Sequence, residues 1–285
     1  MEEPLIIALG DRRYEIDRPW AAQPSIVGSG WMTDVAIDSA DQLYVLNRFD
    51  RYVDPMGTPV LAVYDPSGAL MRTLELPDVS DGHAISMGPN DDIVIVDRDR
   101  HVVHLLAKNG EPLLTLGERN EPGRPFNHPT CAKIAPGGDI FVCDGYGNSM
   151  VHHFSSDGRL IKSWGEPGAG PGQFTTPHCL AYTHATEIVV CDRENNRVQL
   201  FDFEGTFIRE IKDVFHPMAV EVDSEGLILI SDQIPRLSMV TSNGSLVGRC
   251  RPTLYGGHGM CLDSAGNIYF AELRQNRISR LRRIR

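Results

Sequence analysis

The chain has 285 residues, 41% of them hydrophobic, 23% charged and 7% aromatic, with 27 Lys and Arg against 38 Asp and Glu and a net charge of −11. This length can bury a sizeable core, and the composition excludes a disordered chain. The acidic balance argues against a nucleic-acid partner, and polar residues break every apolar run well short of the ~18 residues of a membrane span.

The chain opens on MEEPLIIALGDRRYEID, whose first residues are acidic and whose LIIAL run is too short for a signal segment. The expected localisation is therefore cytoplasmic. Six segments then repeat one pattern. They are TDVAIDSADQLYVLNR from Thr33, HAISMGPNDDIVIVDR from His83, TCAKIAPGGDIFVCDG from Thr130, HCLAYTHATEIVVCDR from His178, MAVEVDSEGLILISDQ from Met218 and HGMCLDSAGNIYFAEL from His258. Their starts lie 50, 47, 48, 40 and 40 residues apart. Each reaches a polar residue fourteen places on: Asn47, Asp97, Asp144, Asp192, Asp232 and Glu272. The recurrent Asp is expected to fix the turn after the second strand.

Each unit reads as two apolar strands joined by a polar turn, followed by a third strand such as HVVHLLA or RVQLFDF and a fourth such as PLLTLG or FIREIK. No segment sustains a helical period. Four short strands in each of six units predict an all-β, six-bladed β-propeller as one domain over residues 1–285. The last unit lacks a fourth strand, and DRRYEID near the N-terminus can supply it, closing the ring. WGEPGAGPGQF links blades 3 and 4.

The overlay puts Thr33, His83, Thr130, His178, Met218 and His258 at one register position, where the innermost strand begins and faces the axial channel. Histidine occupies alternate blades, so His83, His178 and His258 should converge with near-threefold symmetry. Three His with an open fourth position is the ligand set of a catalytic zinc, although imidazole also suits copper, nickel or iron. Three separate, hydrogen-bonded core histidines are the alternative.

Just past the recurrent polar position stand Arg48, Arg98 and Arg193, apt clamps for a carboxylate or amide carbonyl, or else partners in surface salt bridges. Tyr146, one place further on in blade 3, is a candidate proton-transfer group. His128 and His216, two residues before the register position in blades 3 and 5, are candidates for the substrate-binding mouth. His101, His104, His152, His153 and His184 read as packed or solvated strand positions. Of the six cysteines, Cys131/Cys143 and Cys179/Cys191 share a spacing that makes them cross-strand neighbours; buried free thiols in a reducing compartment are the reading, with a disulfide pair as alternative.

The strings DGYGNSMVHHFSSDGRLIKSWGEPGAGPGQFTTPHCLA and CDRENNRVQLF resemble the core of the peptidyl-α-hydroxyglycine α-amidating lyases, NHL-repeat six-bladed propellers, most strongly over residues 125 to 203. The resemblance implies zinc on His83, His178 and His258, a catalytic Tyr146 and active-site Arg48 and Arg193. It implies cleavage of a carbinolamide at its N–Cα bond, giving an amide and glyoxylate. Three positions depart from the family. Its structural calcium uses carbonyls at Val35 and Ile85 and an Asp where Gly259 stands here, which leaves calcium doubtful. Its Met two places before the third His is Gly256, giving a roomier wall. Its disulfide positions are Asn127 and Gly147.

The expected function is that of a metal-dependent, zinc-like enzyme cleaving a C–N bond in a small molecule, by resemblance a carbinolamide lyase. One alternative is hydrolysis of a small amide or nitrogen heterocycle by metal-bound hydroxide. The other is a non-catalytic NHL scaffold, against which the net charge and the histidines speak.

Overall fold

The computed structural model describes residues 4–23, 30–49, 57–252 and 257–284. Among them the chain forms six antiparallel sheets, and the only helical element is a single 3₁₀ turn at Arg193–Asn195. Blade 2 runs Gly82–Met87, Ile93–Asp97, Val102–Leu106, Pro112–Leu116, and blade 4 runs Pro177–Tyr182, Ile188–Asp192, Arg197–Phe201, Phe207–Ile211. Blades 1, 3 and 5 follow the same order, with inner strands Trp31–Ile37, Cys131–Ile134 and Pro217–Val222. Each inner strand contacts the next around the ring, and Gly259–Leu262 of blade 6 returns to blade 1.

Closure follows the expectation and adds one strand. Arg12–Asp17 pairs antiparallel with Arg277–Arg283, setting Tyr14 opposite Arg283 and Ile16 opposite Leu281. Ile6–Leu9 then pairs with Arg12–Asp17 as a fifth, outermost strand. Arg280 bonds Asp17 at 2.7 Å across this seam, so both ends of the chain contribute to one blade.

The second strand of a blade is sandwiched between neighbours, which is why IVIVD, IFVCD, IVVCD and ILISD are buried at every position. Six apolar clusters fill the six blade interfaces. Leu46 and Leu61 meet Ile85 and Ile95 between blades 1 and 2, and Val45 and Tyr64 meet Tyr269 and Ile278 between blades 6 and 1. Each such side chain contributes roughly 1.5–3 kcal/mol on burial. The ring is therefore held by six equivalent seams.

The recurrent acid does more than fix the following turn. Asp97 accepts the amides of Ser80 and Asp81, Asp144 that of Asn127, and Asp192 that of Thr175. These amides lie in the loop leading into the inner strand, so each buried carboxylate ties that loop to the end of the second strand. In this way a structural residue positions the rim of the channel.

Candidate metal centre

Four of the six register positions are β-bulges. Strand pairing shifts between Met32 and Asp34, Gly82 and Ala84, Pro177 and Leu180, and Pro217 and Ala219. A bulge carries a residue with no partner opposite and re-aims its side chain. Thr33, His83, His178 and Met218 sit within these shifts, and Thr130 and His258 stand one residue ahead of their strands.

His83, His178 and His258 converge. Their ring centroids are 5.0 to 5.4 Å apart, and their ligand atoms lie within 4.8 Å of one another, the one such His/Cys/Asp/Glu group among the described residues. Each Nδ1–H donates to the carbonyl of the next blade's register residue: His83 to Thr130, His178 to Met218 and His258 to Thr33, all at 2.7 Å. A carbonyl can only accept, so Nδ1 carries the proton and Nε2 keeps its lone pair for the axis. Burial, then the neighbouring imidazoles and arginines, hold His83 and His178 well below the usual histidine pKa. Burial also brings His258 down to about 4. Three neutral imidazoles with inward lone pairs suit zinc, copper, nickel or iron.

Tyr146 caps this group from the solvent side. Its Oη lies 3.0 Å from His83 Nε2 and 3.2 Å from His178 Nε2, and it accepts a hydrogen bond from Arg193 Nη1 at 3.3 Å. The guanidinium carbons of Arg193 and Arg98 stand 5.3 and 5.6 Å from the Tyr146 ring centroid. Arg48 faces the same rim and reaches Asp81 at 3.0 Å, while Arg98 reaches the other oxygen of Asp81 at 2.5 Å.

Asp81 was not singled out from the sequence. It occupies the column two places before the register position, the column that flagged His128 and His216, and there it bridges two arginines. His128 and His216 flank this group: the His128 ring bonds Asn127 Oδ1 at 2.9 Å and packs on His101 while its carbonyl accepts the Tyr146 amide at 3.3 Å, and His216 lies 3.3 Å from Glu194, the partner of Arg193, and packs on Phe215. Neither makes a hydrogen bond to the three histidines. His152 and His153 are packed strand residues paired with Asp144 and Asp139. Gly256 lies outside the described residues.

Below the histidines the channel holds a carboxylate and two thiols, from Asp34, Cys131 and Cys179. Gly259 faces Asp34: a Cβ at Gly259 would lie 1.9 Å from Asp34 Oδ1. A carboxylate is thus present beside the position where the family Asp was expected, supplied by blade 1 instead of blade 6. Cys131 opposes Cys143 across the hairpin, as its spacing implied, whereas Cys179 falls in a bulge and its nearest thiol is Cys131, at 3.4 Å. All six cysteines are free. Asn127 and Gly147 are neighbours, joined by a hydrogen bond from the Gly147 amide to the Asn127 carbonyl.

A family model described as a 6-bladed beta-propeller matches residues 133–243. The peptidyl-alpha-hydroxyglycine alpha-amidating lyase 1 of Drosophila melanogaster is 28% identical over 170 residues, 52% of this chain and 31% of that protein. The peptidylglycine alpha-amidating monooxygenase of Rattus norvegicus is 32% identical over 238 residues, 71% of this chain and 24% of that protein. The chain thus matches about a quarter to a third of the length of these relatives. A gluconolactonase from Xanthomonas campestris superposes with a TM-score of 0.71 at 15% identity, covering 99% of this chain and 95% of that one, a likeness of fold alone. The chain is a six-bladed β-propeller related in sequence to the peptidyl-α-hydroxyglycine α-amidating lyases.

Proposed function

We propose that the chain is a metal-dependent lyase that breaks the C–N bond of a small carbinolamide, an N-acyl-α-hydroxyglycine, into an amide and glyoxylate. The observation that carries this reading is the place of Tyr146 Oη, within 3.2 Å of two Nε2 atoms and in contact with Arg193. His83, His178 and His258 would hold the ion. When bound, it supplies Lewis acidity toward the oxygen atoms of the substrate.

The chain's own residues account for the rest. Tyr146 Oη takes the substrate's α-hydroxyl proton and returns it to the departing amide nitrogen. The O–H electrons become the aldehyde C=O and the C–N pair stays on nitrogen, so no water or oxidant is consumed. Arg193 steadies the tyrosine oxygen while it is deprotonated. Arg48 and Arg98, held in place by Asp81, face the substrate carboxylate with Arg193. Six free thiols support a reducing compartment, the cytoplasm.

Metal analysis of protein purified without added metal, beside His178→Ala, tests the centre. Wild type should carry about one transition-metal ion per chain and the variant far less; wild type that is empty and cannot be reloaded ends the enzyme reading. Glyoxylate release from α-hydroxyhippurate tests the reaction. No release, together with turnover of a cyclic amide or imide, would move the assignment to hydrolysis.

A further inference from the structure

Beneath the histidines the axial channel is lined by Asp34, Cys131 and Cys179, and deeper by Lys133 and Glu221. Ala84, Ala219 and Met260 complete much of the wall, and about 20 Å³ remains, room for one water. Asp34 therefore stands in a nearly dry space, where an uncompensated charge is costly, while Lys133 and Glu221 stand where this space meets a wider mouth that Tyr182 also lines.

Three of the four carboxylate oxygens there are already committed. Asp34 Oδ1 accepts the amide of Val35 at 2.8 Å and Oδ2 that of Ile85 at 2.9 Å. Glu221 Oε1 lies 2.5 Å from Lys133 Nζ, whose side chain is only 16% exposed. Lys133 is the one cationic side chain lining this cavity among the described residues. Calcium takes six to eight oxygen ligands. Here it would find two engaged carboxylates, two thiols and an ammonium group, so the residues do not fit the structural calcium that the resemblance implies.

We propose that Lys133 is the built-in cation of the axial channel, its ammonium balancing Glu221 so that the ring closes with no metal below the three histidines. The two residues lie in blades 3 and 5, with blade 4 between them, each three places past its register position. The pair ties two distant blades together, a task for which a metal ion would need ligands from both. Calcium content and melting temperature, not turnover, read out this ion pair, independently of the reaction proposed at Tyr146.

The test begins with calcium analysis of wild type purified without chelator. The expected content is far below one ion per chain, with a melting temperature unmoved by millimolar CaCl₂. About one calcium per chain, or a clear rise in melting temperature with calcium, overturns the proposal. Lys133→Met should lower the melting temperature by roughly 10 °C in calcium-free buffer. Lys133→Met combined with Glu221→Gln, which removes both charges, should recover most of that loss. A single variant as stable as wild type overturns the proposal. If Lys133→Met does not fold, a double variant that folds supports the pairing, and one that does not leaves the calcium content of wild type to decide.

Discussion

The carbonyl of Thr33 accepts a hydrogen bond from His258 Nδ1 at 2.7 Å, joining the last blade to the first across 225 positions. The same bond, at the same length, runs from His83 to Thr130 and from His178 to Met218. Alternate blades thus supply an axial histidine, and the blades between them supply the acceptor that orients it. Orientation and ring closure are one arrangement here.

This arrangement predicts a pH dependence for the metal-free protein. An imidazole whose pKa is lower in the folded chain than its unfolded value of ~6.5 binds its proton preferentially in the unfolded chain. Stability is then full above pH ~6.5 and is lost as pH falls toward about 4, the value burial gives His258. For His258 alone the loss is roughly 3 kcal/mol, and His83 and His178 act in the same direction. Melting temperatures of metal-free protein should fall steadily across this window, and less steeply in His258→Gln. A flat profile would contradict the buried, neutral triad.

Tyr146→Phe should lower kcat by about 10²–10⁴-fold and leave metal content and melting temperature near wild type, because the residue is 37% exposed and only its hydroxyl is removed. Metal analysis and steady-state kinetics on the same preparation would check this. Retention of full kcat would remove Tyr146 from the proton transfer.

Asp81→Asn should act through KM. The carboxylate holds Arg48 and Arg98 on its two oxygens, and burial raises its pKa against the pull of both guanidiniums. With an amide there, the arginines keep their charge and lose their fixed direction. We expect KM to rise on the order of tenfold with a smaller change in kcat. An unchanged KM with reduced stability would mark Asp81 as purely structural.

Gly259→Ala should destabilise the protein by roughly 1–3 kcal/mol, since its Cβ would press into Asp34. Combined with Asp34→Ala, which itself strands the amides of Val35 and Ile85, the two losses should fall short of their sum by ~1 kcal/mol or more. Denaturant melts of the two single variants and the double would measure that coupling. Strict additivity would mean that the two residues are not in contact.

Much of this was legible in the chain itself. The repeat predicted the blades because each needs its own apolar second strand, and IVIV or IVVC can be read wherever it stands. The alternation of His83, His178 and His258 was legible for the same reason: a closed ring carries equal register positions to one axis. Asp81 carries no such signal, since its part in anchoring two arginines depends on how blades 1 and 2 meet.

What only the tertiary structure decided lies where different blades meet side by side. No spacing announces that the inner strands bulge at the register position, since a bulge depends on how two strands pair. Gly259 read alone meant a missing carboxylate; folded, it makes room for Asp34 from another blade. Lys133 and Glu221 stand 88 positions apart with nothing local to link them. Composition and repeat determined the ring and which residues face its axis, because those follow from local patterning. The partners between blades were decided by closure of the ring, because buried charges must be balanced by whatever another blade presents.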